Sequence, residues 1–361
     1  MAHGENAPLN ITPGAIRFNT DSMKLEYFRI GMEGGSTSSY AGIGTLAAGE
    51  WVQITTDTPE IQTGGTRGLY AGGFGPSPHP KYDDIQYIQI NTTGNAVDFG
   101  TLSGSGAVYG NAGFSSRTRA MWAGGLTPST LASIDTCAIA SGGNTTDFGD
   151  MPTGRYYPVG MSNSTRGLVA GGFTGPSPLT ANIEYVTIAA TGAGKDFGDL
   201  TEAVRSQSSF NSSTRGFAMG GYISATKDYI QFVTISTLGN TADFGNLNVA
   251  KYYAAGCSNA VRGLNGGGTN GSNSINAIEY ITMSTLGNGT DFGDLTTARH
   301  EIGAVSSPTR GCWAGSWQPT QTNIIDYIQI MSTGDAKDFG DLINSSLLQE
   351  QGCSNGHGGL G

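Results

Sequence analysis

The amino-acid sequence predicts an all-β protein in which one four-stranded unit is repeated six times. Glycine accounts for 58 of the 361 residues, and short runs of Val, Ile, Thr and Tyr separate the glycines, as is typical of strands joined by tight turns. The tripeptide Asp-Phe-Gly recurs at intervals of 47–49 residues, at 98–100, 147–149, 196–198, 243–245, 291–293 and 338–340. A repeat of this length indicates the blades of a β-propeller, here a six-bladed one.

The strands can be placed within one unit, residues 201–247. We expect strands at 205–213, 216–221, 228–236 and 242–247, because the third segment alternates between two faces and turn residues separate the others. A Thr-Arg-Gly or similar tripeptide ends the first strand of each unit, at 66–68, 118–120, 165–167, 214–216, 261–263 and 309–311. These two landmarks define the repeat.

The repeat resembles the kelch family of propellers, whose units carry an Arg before the first strand, a glycine pair after the second, a Tyr in the third and a Trp in the fourth. The matching residues are Arg155, Arg205, Lys251 and Arg299; Gly72-Gly73, Gly124-Gly125, Gly171-Gly172, Gly220-Gly221 and Gly266-Gly267; and Tyr87, Tyr185, Tyr280 and Tyr327. Phe99, Phe148, Phe197, Phe244, Phe292 and Phe339 stand where the family has Trp. The resemblance implies a divergent kelch-like propeller.

Repetition also decides how the Asp-Phe-Gly tripeptide is interpreted. A catalytic or metal-binding signature is needed once, so six copies indicate architecture. We expect the Phe to lie between blades, the Gly to allow close backbone approach, and the Asp to cap the preceding turn. The Arg of Thr-Arg-Gly is expected to have a packing role. Four units read Asp-Phe-Gly-Asp, and the second acid would suit calcium, but Thr101 and Asn246 replace it in the other two; no metal site is predicted.

The carboxyl-terminal tail is expected to close the ring. Its sequence GCSNGHGGLG, residues 352–361, repeats GCSNAVRGL at 256–264, which begins a unit. The tail would therefore supply the first strand of the blade that continues at Arg67, leaving no unpaired sheet edge.

Composition excludes several classes of function. The net charge is −10 with no basic run, which argues against nucleic-acid binding. We expect no membrane span and no secretory signal, because no long apolar segment occurs. Cys137, Cys257, Cys312 and Cys353 lack paired spacing and are expected to be free thiols. No catalytic motif or cofactor-binding motif is found, so we expect no enzymatic activity and no cofactor.

The first 60 residues lie outside the repeat, which gives two predicted domains, 1–60 and 61–361. Residues 14–28 alternate around a polar turn and predict a β-hairpin. Together with GEWVQI at 49–54, this segment resembles the attachment hairpin of bacteriophage tail fibres through Ile16, Arg17, Phe18, Leu25, Tyr27 and Trp51. The combined order of hairpin and Asp-Phe-Gly array resembles virion proteins of marine phages, especially those that infect cyanobacteria.

The two faces of the predicted ring differ. The turns between strands 1 and 2 and between strands 3 and 4 are nearly identical in every unit, and we call their side the constant face. The other connections differ between units and form the variable face, where binding is expected. Its candidate ligand contacts are Lys81, Tyr82, Tyr156, Tyr157, Tyr222, Tyr252, Tyr253, His300 and Trp317. Stacking aromatics of this kind suit a surface glycan or protein.

Three functions follow as hypotheses. The first is a phage tail-fibre or appendage protein, docked to other virion proteins by the hairpin, that adheres to a host-surface glycan or protein. The second is a capsid-decorating or tail-assembly protein without host recognition, and the third is a glycan-active enzyme. The fibre resemblance is compatible with a homo-oligomer, assembled in the host cytoplasm and located in the virion.

Overall fold

A computed structural model describes residues 15–19, 24–30, 49–53, 65–73, 75, 80–175, 178–316, 321–344 and 351–360. The chain divides into two compact units, Met1–Gln62 and Thr63–Gly361. The described residues are all-β apart from one turn of 3₁₀ helix, Gly358–Leu360. No helix among them is long and apolar enough to span a membrane.

The first unit contains a three-stranded antiparallel sheet of β1 (Ile16–Asn19), β2 (Lys24–Ile30) and β3 (Gly49–Gln53). Strands β1 and β2 form the predicted hairpin, with Ile16 opposite Tyr27 and Phe18 opposite Leu25. Trp51 lies on β3 opposite Phe28. Arg17 pairs with the buried Glu26 at 2.9 Å, so an ion pair joins the two strands of the hairpin.

The second unit is a six-bladed β-propeller, as the repeat predicted. Each blade is a four-stranded antiparallel meander. Blade 1 contains β4 (Arg67–Ala71), β5 (Asp84–Gln89), β6 (Val97–Thr101) and, as its first strand, β29 (Gln351–Ser354). Blade 2 contains β7 (Ala112–Ser115), β8 (Arg119–Ala123), β11 (Ser133–Ala138) and β12 (Thr146–Asp150), with β9 (Leu126–Thr127) and β10 (Ser129–Thr130) as a small extra hairpin.

The remaining blades follow the same order. Blade 3 contains β13 (Val159–Ser162), β14 (Arg166–Ala170), β15 (Asn182–Thr187) and β16 (Lys195–Asp199), and blade 4 contains β17 (Ser208–Asn211), β18 (Arg215–Met219), β19 (Tyr229–Thr234) and β20 (Ala242–Asn246). Blade 5 contains β21 (Ala255–Ser258), β22 (Arg262–Gly266), β23 (Ala277–Thr282) and β24 (Thr290–Asp294), and blade 6 contains β25 (Gly303–Ser306), β26 (Arg310–Ala314), β27 (Ile324–Gln329) and β28 (Lys337–Asp341).

The apolar core lies between neighbouring blades, and each interface contains one Phe of Asp-Phe-Gly. Phe99, for example, packs with Leu69 of blade 1 and Trp122 of blade 2. Phe148, Phe197, Phe244, Phe292 and Phe339 take the equivalent places in the other clusters. The predicted position of these rings is confirmed.

The Gly of the same tripeptide is needed for close approach. Gly100 has φ +152°, and a Cβ on it would lie 2.4 Å from the carbonyl oxygen of Gly143 in the next blade. The close approach holds a hydrogen bond of 2.8 Å from the Gly143 N–H to the Phe99 carbonyl. Backbone pairing therefore continues from each fourth strand into the next blade.

The capping role predicted for the Asp is wrong. The six carboxylates are exposed and accept no hydrogen bond from any described residue. The turn of the following blade acts instead: Asn144 Oδ1 accepts the Thr101 N–H at 3.1 Å, and Asn240 does the same for Asp199 at 3.0 Å. The Asn of the Gly-Asn turn therefore links neighbouring blades.

The Arg of each Thr-Arg-Gly turn also joins blades, which confirms its packing role. Arg166 donates to the Ile235 carbonyl of blade 4 at 3.1 Å and lies over the Tyr185 ring at 4.6 Å. Arg310 in blade 6 donates to the Ile90 carbonyl of blade 1 at 3.3 Å, so the series passes across the closure.

Closure by the tail is confirmed. Strand β29 pairs antiparallel with β4, with Cys353 opposite Leu69. Beyond it, the His357 Nε2 lies 3.0 Å from the Ser115 carbonyl oxygen, and Arg117 donates to the Leu360 carbonyl. The tail therefore covers the constant-face end of the central channel. All four cysteines are free, as expected, and Cys257, Cys312 and Cys353 are buried.

Serine hydroxyls hold the first strands together around the channel. The Ser306 hydroxyl donates to the Ser258 carbonyl at 2.8 Å and accepts the Ser258 N–H at 3.3 Å. Ser115, Ser162 and Ser258 make the same pair of bonds to the preceding first strand. Asn211 stands at the equivalent position of blade 4, and the series is interrupted there.

Candidate functional site

The connections that enter blades 2 to 6 on the variable face share one backbone pattern. In each, the carbonyl of one residue accepts an N–H from the glycine pair of the preceding blade, at 2.7–2.9 Å. In blade 5 this pair is Gly267-Gly268, one residue later than the predicted Gly266-Gly267, because Gly266 belongs to strand β22. These residues are Val108, Arg155, Val204, Lys251 and Arg299, and we call them the entry residues. Arg205 was expected to match Arg155, but Val204 takes that place. Arg205 lies one residue further along, where Tyr156 and Tyr252 stand in their blades.

Three entry residues are buried bases with acidic partners on the third strand of the same blade. The pairs are Arg155–Glu184 at 2.5 Å, Lys251–Glu279 at 3.1 Å and Arg299–Asp326 at 2.9 Å. Burial lowers the pKa of Lys251, and the neighbouring Glu279 raises it. Because the six side chains are at most 5% exposed, these bases are structural and unavailable to a ligand.

The channel mouth on the variable face is formed by an inner ring of residues, each two positions after an entry residue. They are Gly110, Tyr157, Ser206, Tyr253 and Glu301. Each accepts or donates a backbone bond with its neighbour, for example Ser206 N–H to the Tyr157 carbonyl at 3.1 Å and Glu301 N–H to the Tyr253 carbonyl at 2.9 Å. All five have positive φ, between 55° and 66°.

That backbone conformation is unusual for the four members that are not glycine. A left-handed residue with a side chain costs roughly 1–3 kcal/mol, and such strain concentrates at functional sites. Here the ring of hydrogen bonds holds the strained backbone. As a result, Tyr157, Tyr253 and Glu301 are presented side by side at the end of the channel.

Aromatic side chains surround this mouth. The Tyr157 ring lies 5.7 Å from that of Tyr253, and the Tyr156 ring stacks on that of Phe173 at 5.0 Å. The chain of ring contacts continues through Tyr109–Tyr157 at 6.1 Å, Tyr222–Tyr252 at 5.0 Å, Tyr252–Tyr253 at 4.7 Å and Tyr253–His300 at 6.2 Å. Blades 2 to 6 thus contribute to one aromatic cluster, which we call the mouth cluster.

Arg205 lies within the mouth cluster. Its guanidinium carbon is 4.9 Å from the Tyr222 ring centroid and 5.1 Å from that of Phe173, with Tyr157, Tyr252 and Tyr253 within 6.0 Å. Nη1 donates to the Tyr253 hydroxyl at 2.8 Å and to the Ser206 hydroxyl at 3.2 Å. A cation stacked on several rings is oriented before any ligand arrives.

Other charged and titratable groups adjoin the cluster. Lys81 lies over the Tyr109 ring at 5.3 Å. Burial, with the Glu301 charge second, raises the pKa of Tyr253. Burial lowers the pKa of His300 to about 4, and its Nδ1 is 3.0 Å from the Ser274 hydroxyl. His300 is therefore neutral at physiological pH.

The structure brings most of the candidate residues together. Tyr156, Tyr157, Tyr222, Tyr252, Tyr253 and His300 all belong to the mouth cluster, and Lys81 contacts it through Tyr109. Tyr82 instead packs against the core between blades 6 and 1. Trp317 lies outside the described residues.

Four members of the site were not among the sequence candidates: Arg205, Tyr109, Phe173 and Glu301. Aligning the segments VYGN, RYYP, VRSQ, KYYA and RHEI would have found Arg205, Tyr109 and Glu301, whereas Phe173 lies outside these segments. The second and third letters of these segments are the residues that surround the mouth.

A small cavity of about 30 Å³ opens at the mouth, between Tyr157, Ser206, Tyr253 and Glu301. A separate cavity of about 50 Å³ lies deeper in the channel, among the first strands, and His357 lines it. Since the tail covers the far end, a ligand would approach the mouth cluster from the variable face.

Fold and site together define a six-bladed β-propeller with a cationic, aromatic channel mouth. No protein-family model matches the chain, and no curated protein matches it.

Proposed function

We propose that the chain is a structural protein of a bacteriophage virion, a tail-fibre or appendage component with a kelch-like propeller. The propeller displays its variable face for adhesion to a host-surface glycan. The observation that carries the adhesion proposal is the mouth cluster, in which blades 2 to 6 present aromatic rings around Arg205. Stacking rings with short polar side chains are the means by which proteins hold sugars.

Attachment to the particle is assigned to the first unit. Ile16 and Phe18 are 64% and 52% exposed on the hairpin, although both are large and apolar. Apolar side chains left on a small sheet favour docking against a partner. The partners in this proposal are other virion proteins, and the resemblance to fibre hairpins supports the same assignment.

A second candidate, decoration of the capsid or tail without host recognition, is favoured by one observation. Leu238 and Leu286 are 57% and 66% exposed in equivalent turns of the constant face. These apolar side chains would suit contacts with neighbouring subunits.

Immunogold labelling of intact particles, with an antibody against residues 61–361, separates these readings. Label on fibres or the tail tip supports the appendage proposal, and label over the capsid shell supports decoration. Absence of label from every particle would refute the virion assignment. Competition by the purified chain for adsorption of particles to cells then tests adhesion directly. Shortening of a host polysaccharide during that assay would instead reveal an enzyme.

A further inference from the structure

We infer that the mouth cluster binds an anionic sugar, with Arg205 receiving its carboxylate or sulfate and the surrounding tyrosines contacting its ring. This inference rests on the proposed function and names the ligand class of the same site. It is carried by a contrast between Arg205 and the other bases that enter the blades.

The contrast concerns charge pairing. Arg155, Lys251 and Arg299 are fully buried, and each has a carboxylate partner within 3.1 Å. Arg205 is displaced by one residue toward solvent, is half-buried, and has no carboxylate within 4.0 Å among the described residues. The acid itself is missing from this blade, because Gln231 stands where blades 3, 5 and 6 have Glu184, Glu279 and Asp326. The blade therefore lacks the internal partner and presents its cation at the mouth.

The guanidinium also has donors left for a ligand. Both of its hydrogen bonds within the described structure use Nη1. Nε and Nη2 form the edge of the fork that matches a carboxylate or sulfate with two parallel bonds. The Tyr222 and Phe173 rings keep the guanidinium plane in place, so little side-chain entropy is lost when an anion binds.

The surroundings specify a sugar carrying the anion. Tyr156, Tyr222 and Tyr252 are half-buried, and each offers a ring face or edge and a hydroxyl. Glu301 adds a carboxylate that can accept hydrogen bonds from sugar hydroxyls. A cationic ligand is disfavoured, because Arg205 already occupies the faces of the rings. Extended nucleic acid is disfavoured by the net charge of −10.

The test measures binding of small probes to the full chain by saturation-transfer NMR and calorimetry. The probes are methyl glucuronide and galactose 6-sulfate as anions, with methyl glucoside and galactose as neutral counterparts. We expect at least one anionic probe to bind at least tenfold more tightly than its neutral counterpart, and its affinity to fall with added salt. Arg205→Gln should lose at least tenfold in affinity for that probe, and Arg205→Lys several-fold, since an ammonium lacks the fork.

Arg215→Gln is the matched control. Arg215 belongs to the same blade and lies over the Phe232 ring at 4.6 Å, but on the constant face. Its loss should leave probe binding unchanged, and thermal unfolding of each variant verifies that it is folded. Binding of either anionic probe supports the inference, and a comparison of the two probes shows whether the site prefers a carboxylate or a sulfate.

Equal binding of anionic and neutral probes, no binding of any probe, or unchanged affinity in folded Arg205→Gln would overturn the inference. Its failure is distinguishable from failure of the proposed function. If the Arg205→Gln chain still competes for adsorption of particles to cells, the adhesion proposal stands and only the anionic ligand class is wrong.

Discussion

At the scale of single residues, Asp135 is a buried acid without the basic partner that its equivalents have. The entry residue of its blade is Val108, and the carboxylate accepts hydrogen bonds from the N–H and hydroxyl of Ser105. Burial raises the pKa of Asp135. The stability contributed by the neutral acid is fully present below its unfolded-state pKa and is lost as the pH rises through the folded-state pKa.

Asp135→Asn should therefore stabilise the protein at pH 7.5, by about 1 kcal/mol, the usual size of a single-site effect. The advantage should shrink at lower pH, for example pH 4, because the raised pKa means that a larger fraction of Asp135 is protonated there than at pH 7.5. Urea unfolding at both pH values measures the difference, and Asp196→Asn at an exposed position is the control. A variant no more stable than the native chain at pH 7.5 would contradict this account.

The buried pair Arg299–Asp326 can be replaced by the uncharged residues that blade 4 has at the same two positions. Arg299→Val leaves Asp326 without its cation, which should cost roughly 3–5 kcal/mol of unfolding free energy. Arg299→Val combined with Asp326→Gln reproduces Val204 and Gln231 of blade 4 and should recover most of that loss. Denaturant unfolding of Arg299→Val, of Asp326→Gln and of the double variant completes the double-mutant cycle. Additive losses in the double variant would show that the two side chains are not coupled.

The role of a residue could be predicted from the sequence where the same residue type recurs at the same place in all six units. The positions of Phe99 and its equivalents follow from the repeat, since an aromatic residue conserved in place across one chain must serve each blade alike. Arg205 was misassigned because an Arg one residue away still fits a loose family pattern. The backbone bond from Gly172 to Val204 shows the one-residue difference that moves the guanidinium from the core to the mouth.

At the scale of elements, strand existence was easier to predict than strand length. The expected strand at 205–213 is observed as Ser208–Asn211, because Ser206 belongs to the left-handed inner ring and Arg205 to the mouth cluster. The strands expected at 228–236 and 242–247 shorten by only a few residues, to Tyr229–Thr234 and Ala242–Asn246. The inner ring at the mouth forms through hydrogen bonds between neighbouring blades, so the sequence of a single unit does not predict it.

The interrupted serine series yields a prediction for the first strands. Asn211→Ser would place a hydroxyl where Ser258 and Ser306 have theirs, next to the Ser162 backbone. We expect it to raise the unfolding free energy by about 0.5–1.5 kcal/mol, the net value of one such hydrogen bond. Ser306→Ala removes an existing example and should lower stability by a similar amount. Changes of the same sign in the two variants would refute the equivalence of the two positions.

For the whole molecule, closure by β29 should dominate stability. Deletion of residues 351–361 leaves β4 as an unpaired edge in blade 1. It also exposes the surfaces against which Cys353 and Leu360 pack, since these two side chains are only 1% and 3% exposed in the full chain. We expect a drop in melting temperature of at least about 10 °C, since several kcal/mol of packing and backbone pairing are lost.

A synthetic peptide of residues 351–361 provides the control for this deletion. Added in excess, it should raise the melting temperature of the truncated chain in a concentration-dependent way, because it binds the folded state. A peptide in which Cys353 is replaced by Asp should fail to do so, since that side chain faces the buried core. A truncated chain as stable as the native one would show that the ring does not depend on the tail.

The closing strand β29 follows the other five blades in the chain, and this order affects folding during synthesis. Strand β4 leaves the ribosome about 280 residues before its partner β29, a delay of roughly a quarter of a minute to a minute at usual bacterial elongation rates. During that interval five blades can assemble in order, while the first blade carries an open edge next to apolar surface. The position of β29 in the gene therefore determines how long the open edge needs protection by chaperones. It also means that a ribosome that stops early releases a chain without the closing strand.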